Sequence, residues 1–293
     1  MPTLYIIGNR FDLHNGLKTS YADFHRYITK NNKELESQID QYFEMSTNAD
    51  YLWKDFENDL STFDTEGFYE TYDFTDVMSD SFKISETYGL QDEIQQETER
   101  LTDSIKEGFT DWVEEIEFPE KEVCNVFHEE DAFITFNYTN TLELLCGIQT
   151  ESILYIHGSV EGHDELIFGH GEEIETEDDE LDEDGNSTRT MFTDARNASQ
   201  YPLHALFKDT VKILKTHAPF INGLSGINKI CVLGHSLGKA DWPYFKKLSE
   251  VFPDASWKIS YYSEWERENL AEVALKITSI PEDRLKMIRI DEL

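Results

Sequence analysis

Short apolar runs that stop on a glycine or an amide constrain this chain more than any other feature. T-L-Y-I-I at 3–7 runs into Gly8-Asn9, and A-F-I-T-F at 132–136 runs into Asn137-Tyr138. I-L-Y-I at 153–156 ends on His157-Gly158, and K-I-C-V-L at 229–233 ends on Gly234-His235-Ser236. Continuous apolar and β-branched runs of this length read as strands buried on both faces. Leu166–Phe168, Trp257–Tyr262 and Met287–Ile290 read as further strands. Asn is a poor strand former and a good turn former, so Asn137 marks the end of its strand.

Helical signals lie between these runs. Ser20 with Asp23 resembles a capping box and predicts a helix through about Thr29. Trp53, Phe56 and Leu60 recur at helical spacing, and residues 91–117 carry Ile94, Leu101, Ile105, Phe109 and Trp112 along one side. The spacing predicts further helices over Leu203–Lys215 and Glu264–Ile277. Another begins at Asp241-Trp242-Pro243, where Pro sits in the first turn. Strands alternating with helices define an α/β fold with a mainly parallel, Rossmann-like sheet. The block near 30–125 reads as a helical insertion in a single domain spanning 1–293.

Composition narrows function by exclusion. The formal net charge is −35, with no Lys/Arg cluster beyond Lys246-Lys247, so recognition of nucleic acid by a basic face is disfavoured. A pocket of backbone N–H groups can still hold an anionic small molecule. Hydrophobic residues make up 39% and aromatics 13%, enough for a sizeable core. Glu172–Asp184 holds ten acidic residues in thirteen and reads as a solvated loop. No stretch is long and apolar enough to span a membrane, and the opening M-P-T-L-Y-I-I-G-N-R lacks a basic signal-peptide region. The terminal I-D-E-L therefore reads as coincidence. Cys124, Cys146 and Cys231 are far apart and read as buried thiols of a cytoplasmic protein.

In parallel sheets ligands bind outside the carboxyl ends of the strands. The candidate binding residues are Gly8, Asn9, Phe11, Asp12, Tyr138, Gly158, Gly234, His235, Ser236 and Asp241, with Asn137 and His157 as candidate catalytic groups. Each has a plainer role. Gly8-Asn9 makes a turn, Asp12 caps one, Asn137 caps the helix expected over Thr139–Cys146, and His157 packs half-buried. Glu57 either enters a pocket or ties helices together, while Trp53 and Phe56 read as core. G-H-S-L-G at 234–238 fits the nucleophile elbow of α/β-hydrolases. That fold needs a histidine after its serine, and all nine histidines lie at or before His235. His157, His163 and His170, with Asp164 and Glu172, lack the spacing of paired helical metal ligands, and no metal is expected.

Five segments carry a family resemblance. They are I-I-G-N-R-F-D-L-H-N-G-L-K-T-S-Y at 6–21, L-W-K-D-F-E at 52–57, F-I-T-F-N-Y-T-N-T-L-E at 133–143, I-H-G at 156–158 and L-G-H-S-L-G-K-A-D at 233–241. On these the chain is identified as a member of the AbiH family of bacterial abortive-infection proteins. Arg10 departs from the family's usual Gly. The AbiH family is more remotely similar to the sirtuin-like NAD-binding fold, with counterparts at Gly8, Thr135-Phe136-Asn137, His157-Gly158 and Gly234-His235-Ser236. Several sirtuin-like defence proteins hydrolyse NAD, so the resemblance implies NAD as substrate, split at its nicotinamide–ribose bond. In that reading Asn137 holds the water, His157 takes a proton, Gly8-Asn9 approaches the pyrophosphate and Ser236 holds a phosphate or ribose oxygen. Asp12 orients a hydroxyl. Two other readings stay open. One is a non-catalytic nucleotide sensor that signals to a partner protein; a homo-oligomer, separately, would suit a toxic enzyme that needs control. The other is a metal-dependent hydrolase or nuclease.

Overall fold

Every residue of Thr3–Ile7 is buried, which makes this strand, β1, the spine of the sheet. The computed structural model describes residues 2–46, 53, 55–73, 79–80, 82–120, 127–174 and 184–290. Cys124 and most of the acidic run, 175–183, lie outside the described residues.

After β1 the chain forms α1 (Asn9–His14), α2 (Tyr21–Asn31), α3 (Lys33–Tyr42), α4 (Phe56–Asp59), α5 (Thr65–Tyr72) and α6 (Ser85–Glu114). Next come β2 (Ala132–Thr135), α7 (Thr141–Cys146), β3 (Ile153–Tyr155), α8 (Thr193–Ser199), α9 (Tyr201–Ala205) and α10 (Thr210–Gly223). The chain closes with β4 (Lys229–Leu233), α11 (Trp242–Val251), β5 (Ser256–Tyr261), α12 (Glu264–Thr278) and β6 (Leu285–Arg289). The capping box before α2 is present: Ser20 N–H and Asp23 N–H each bond the other residue's side chain.

The strands lie in the order β3-β2-β1-β4-β5-β6 and every pairing is parallel. The chain builds outward from β1 in one direction, then returns to its other side. The order therefore reverses between β1 and β4, the position at which ligands bind in sheets of this kind. Strand alternation sends Leu4 and Ile6 to one face, against Ile213, Ile221, Tyr244, Phe245 and Leu248. Tyr5 and Ile7 go to the other face, with Phe11, Phe133 and Leu142.

Contacts divide the chain into two compact units. The first comprises Met1–Asp23, Thr110–Ile167 and Asp209–Leu293 and holds the sheet; the second comprises Phe24–Phe109 and Phe168–Lys208. In the second unit Phe24, Trp53, Phe56, Phe109 and Phe168 pack ring against ring.

Three expectations need correction. Leu166–Phe168 is not a strand: within it Ile167 donates one bond to the His157 carbonyl, and the segment joins no ladder. The Trp53–Phe56–Leu60 stripe is not one helix, because Trp53 sits in a turn at φ 52 and only Phe56–Asp59 is α-helical. All three side chains are buried nonetheless, so the spacing reported burial and not continuous helix. The helix expected over Leu203–Lys215 is two helices, because Asp209 caps a new start by accepting from Lys212 N–H.

Candidate functional site

The register brings the candidate residues to one level. Ile7 pairs with Thr135 on one side and Leu233 on the other, and Thr135 pairs with Tyr155. The residues just beyond these strand ends therefore emerge together: Gly8, Asn137, His157 and Gly234.

The two glycines are explained by the chain itself. A Cβ on Gly8 would lie 2.6 Å from His235 Cα. Gly234 holds φ +69, and a Cβ there would lie 2.2 Å from Phe11 N. Only glycine lets these turns cross so closely. Gly8 N–H donates to Leu233 O and Arg10 N–H to Gly234 O, so these two amides are used within the fold. Gly158, at φ +81, lets the chain pass Glu165 O in the same way. Asn9 Nδ2 donates to Thr19 O at 2.7 Å and ties down the first turn. Phe11 is buried in the core.

Arg10 bonds Glu266, the third residue of α12, which also accepts from Tyr262 and Ser263 N–H. Burial pushes the Glu266 carboxyl up, but the Tyr262 amide and Arg10 outweigh it and hold it below its ordinary value.

Asp12 is fully buried. Its Oδ2 accepts from Thr139 Oγ1 at 2.5 Å, and Thr139 Oγ1 lies 2.9 Å from Thr141 Oγ1. Burial pushes its carboxyl up to about 6, against the pull of Thr139, Thr141 and Asn137. Asn137 Nδ2 lies 3.4 Å from Gly8 O, and Asn137 Oδ1 has no partner. The helix cap expected of Asn137 falls to Asn140 instead, which makes no side-chain cap bond.

Phe136 is the hub of the other side. Its ring lies 5.2 Å from His157, 4.4 Å from His235 and 5.3 Å from Tyr244. His157 is buried, and its Nε2 lies 3.2 Å from Tyr244 Oη. Tyr138 hydroxyl donates to Ile167 O, and its ring stacks towards His157. His235 Nδ1 accepts from Leu237 N–H at 2.9 Å, so the ring proton belongs on Nε2, which faces Asp241 Oδ2 at 3.4 Å. Both ring nitrogens are thus directed away from Ser236. Ser236 is exposed, and the positive φ values of this turn fall on Gly234 and Leu237. That is not the strained serine of a nucleophile elbow.

Thr139, Thr141 and Tyr244 were not singled out in the sequence. The two threonines stand in T-N-T directly after Asn137-Tyr138, a local signal. Tyr244 is distant and reads as helix core. In the second unit Glu57 takes the tying role, 2.8 Å from buried Lys208 Nζ. Among the described residues no group of three His, Cys, Asp or Glu could hold a metal ion, and no helix is long and apolar enough to cross a membrane.

Strand order and a polar cluster at the reversal define a doubly wound parallel α/β protein. A sequence model of the family described as bacteriophage abortive infection AbiH matches residues 4–261, and the chain belongs to that family. The family points to abortive infection, a form of antiviral defence, as its role. No curated protein and no solved structure matches the chain.

Proposed function

We propose that this AbiH protein binds a nucleotide at the ends of β1, β2 and β4 and hydrolyses NAD at the nicotinamide–ribose bond, depleting the infected cell. The observation that carries the reading is that Asn137, His157 and Asp12, from three separate chain segments, lie at the same carboxyl end of the neighbouring strands β1, β2 and β3. Such cleavage passes through an oxocarbenium-like state with a good leaving group, so it needs an oriented ribose, a placed water and a proton acceptor. Asn137 suits the water, His157 the proton and Asp12 a hydroxyl. With the Gly8 and Arg10 amides already bonded within the fold, the exposed Ser236 hydroxyl is left to take a phosphate or ribose oxygen.

A second reading is a nucleotide sensor that signals to a partner protein or a second copy of the chain. The burial of Asn137 and His157 favours it, since closed strand ends suit a state that opens on a trigger. Purified protein incubated with NAD, beside Asn137→Ala, tests both. Release of nicotinamide and ADP-ribose that vanishes in the variant supports the enzyme. NAD bound and never cleaved supports the sensor.

A further inference from the structure

Two buried oxygens at the strand ends have no hydrogen-bond partner, and they belong to neighbouring side chains. They are Oδ1 of Asp12 and Oδ1 of Asn137. Buried polar atoms are nearly always satisfied, so a neighbouring pair of exceptions calls for a reason. The rest of the network is firmly tied. Thr139 hydroxyl holds Asp12 Oδ2, and Thr135 Oγ1 accepts from Asn137 N–H at 3.1 Å.

An amide is a donor at one end and an acceptor at the other. A carboxylate only accepts. With Asp12 ionised, the Asn137 NH2 group belongs toward Asp12 and Gly8 O, and the carbonyl oxygen points away from both. The Asn137 side chain does favour ionised Asp12. A protonated carboxyl has a hydrogen to give. It suits the amide carbonyl, which would turn the NH2 group outward.

We infer that Asp12, by its charge, sets which end of the Asn137 amide is presented at the strand ends. Asp12 is then a positioning residue. The inference rests on the proposed function only in taking Asn137 as a working group. Above its titration Asn137 offers an acceptor for a water or ribose hydroxyl; below it, a donor. Burial brings that titration to about 6, inside the range of cells. The titratable group coupled to it is Tyr155 of β3, whose hydroxyl donates to Glu143 of α7 and which also feels Glu161. Burial and Glu143 push Tyr155 far upward, so it stays neutral while Asp12 titrates.

The test tracks the Asp12 13Cγ and Asn137 side-chain amide resonances between about pH 5 and about pH 8. It needs no turnover, so it can fail while the NADase reading stands, or the reverse. The expected result is one shared midpoint near 6. An Asn137 amide that stays flat while Asp12 titrates overturns the inference, as does an Asp12 that does not titrate in this range. Thr139→Val keeps the shape and removes a hydroxyl that favours the ionised form, so the Asp12 midpoint rises. Asn137 must move with it; if it keeps the wild-type midpoint, the inference fails. In Asp12→Asn the Asn137 amide is expected to be flat, and continued movement around the old midpoint overturns it.

Discussion

A Cβ on Gly234 would lie 2.2 Å from the backbone nitrogen of Phe11, so the turn after β4 and the helix after β1 leave no room for a side chain between them. Gly226 provides a control, because it too has positive φ, 72, yet a Cβ there meets nothing nearer than Pro2 at 3.8 Å. Gly226→Ala should cost only left-handed strain, about 1 kcal/mol. Gly234→Ala adds a backbone overlap and should cost about 3 kcal/mol or more. Chemical denaturation of the two variants checks this; equal losses would mean the crossing relaxes freely.

The sheet was legible in the sequence because central parallel strands are near-continuous apolar runs. T-L-Y-I-I and K-I-C-V-L correspond to β1 and β4 residue for residue. Leu166–Phe168 shares their composition but lies outside any ladder, and composition does not record pairing. The site was half legible. Strand-end residues announce themselves by breaking an apolar run, as Asn137 does. Tyr244 does not, since it sits on a helix whose buried face also carries Phe245 and Leu248, and only the fold brings its hydroxyl to His157.

Asp12 also makes a prediction about stability. Its carboxyl is raised from 3.8 to about 6, so between those values the folded state binds the extra proton. Stability from this group is greatest below its unfolded value and falls as pH rises through 6. Two units correspond to about 3 kcal/mol lost by pH 7. Asp12→Asn should therefore gain stability relative to wild type as pH is raised from 4 to 7. Thermal unfolding at several pH values checks it, and a difference that does not change with pH would contradict it.

In the second unit Lys208 is buried with its ammonium 2.8 Å from Glu57. Removing one partner of such a pair leaves a buried charge poorly compensated. Glu57→Gln should destabilise by about 3 kcal/mol. Adding Lys208→Met should recover much of that loss, because the second change removes the charge itself. A double-mutant cycle by urea unfolding measures the coupling, and purely additive losses would mean the pair is not what holds Lys208 there.

Tyr244 separates a working His157 from a packed one. Its hydroxyl is 3.2 Å from His157 Nε2, and its ring packs edge-on to Phe136. Tyr244→Phe keeps the ring and removes the hydrogen bond. Stability should fall by about 1 kcal/mol in either case, which is the ordinary worth of such a bond. The pH profile carries the distinction. If His157 accepts the proton in NAD cleavage, losing the hydroxyl changes the free energy of its charged form. Nicotinamide release should then fall about tenfold, corresponding to about 1.4 kcal/mol of barrier, and its pH midpoint should move. If His157 only fills space, the melting temperature should drop while the pH profile of release keeps its wild-type midpoint.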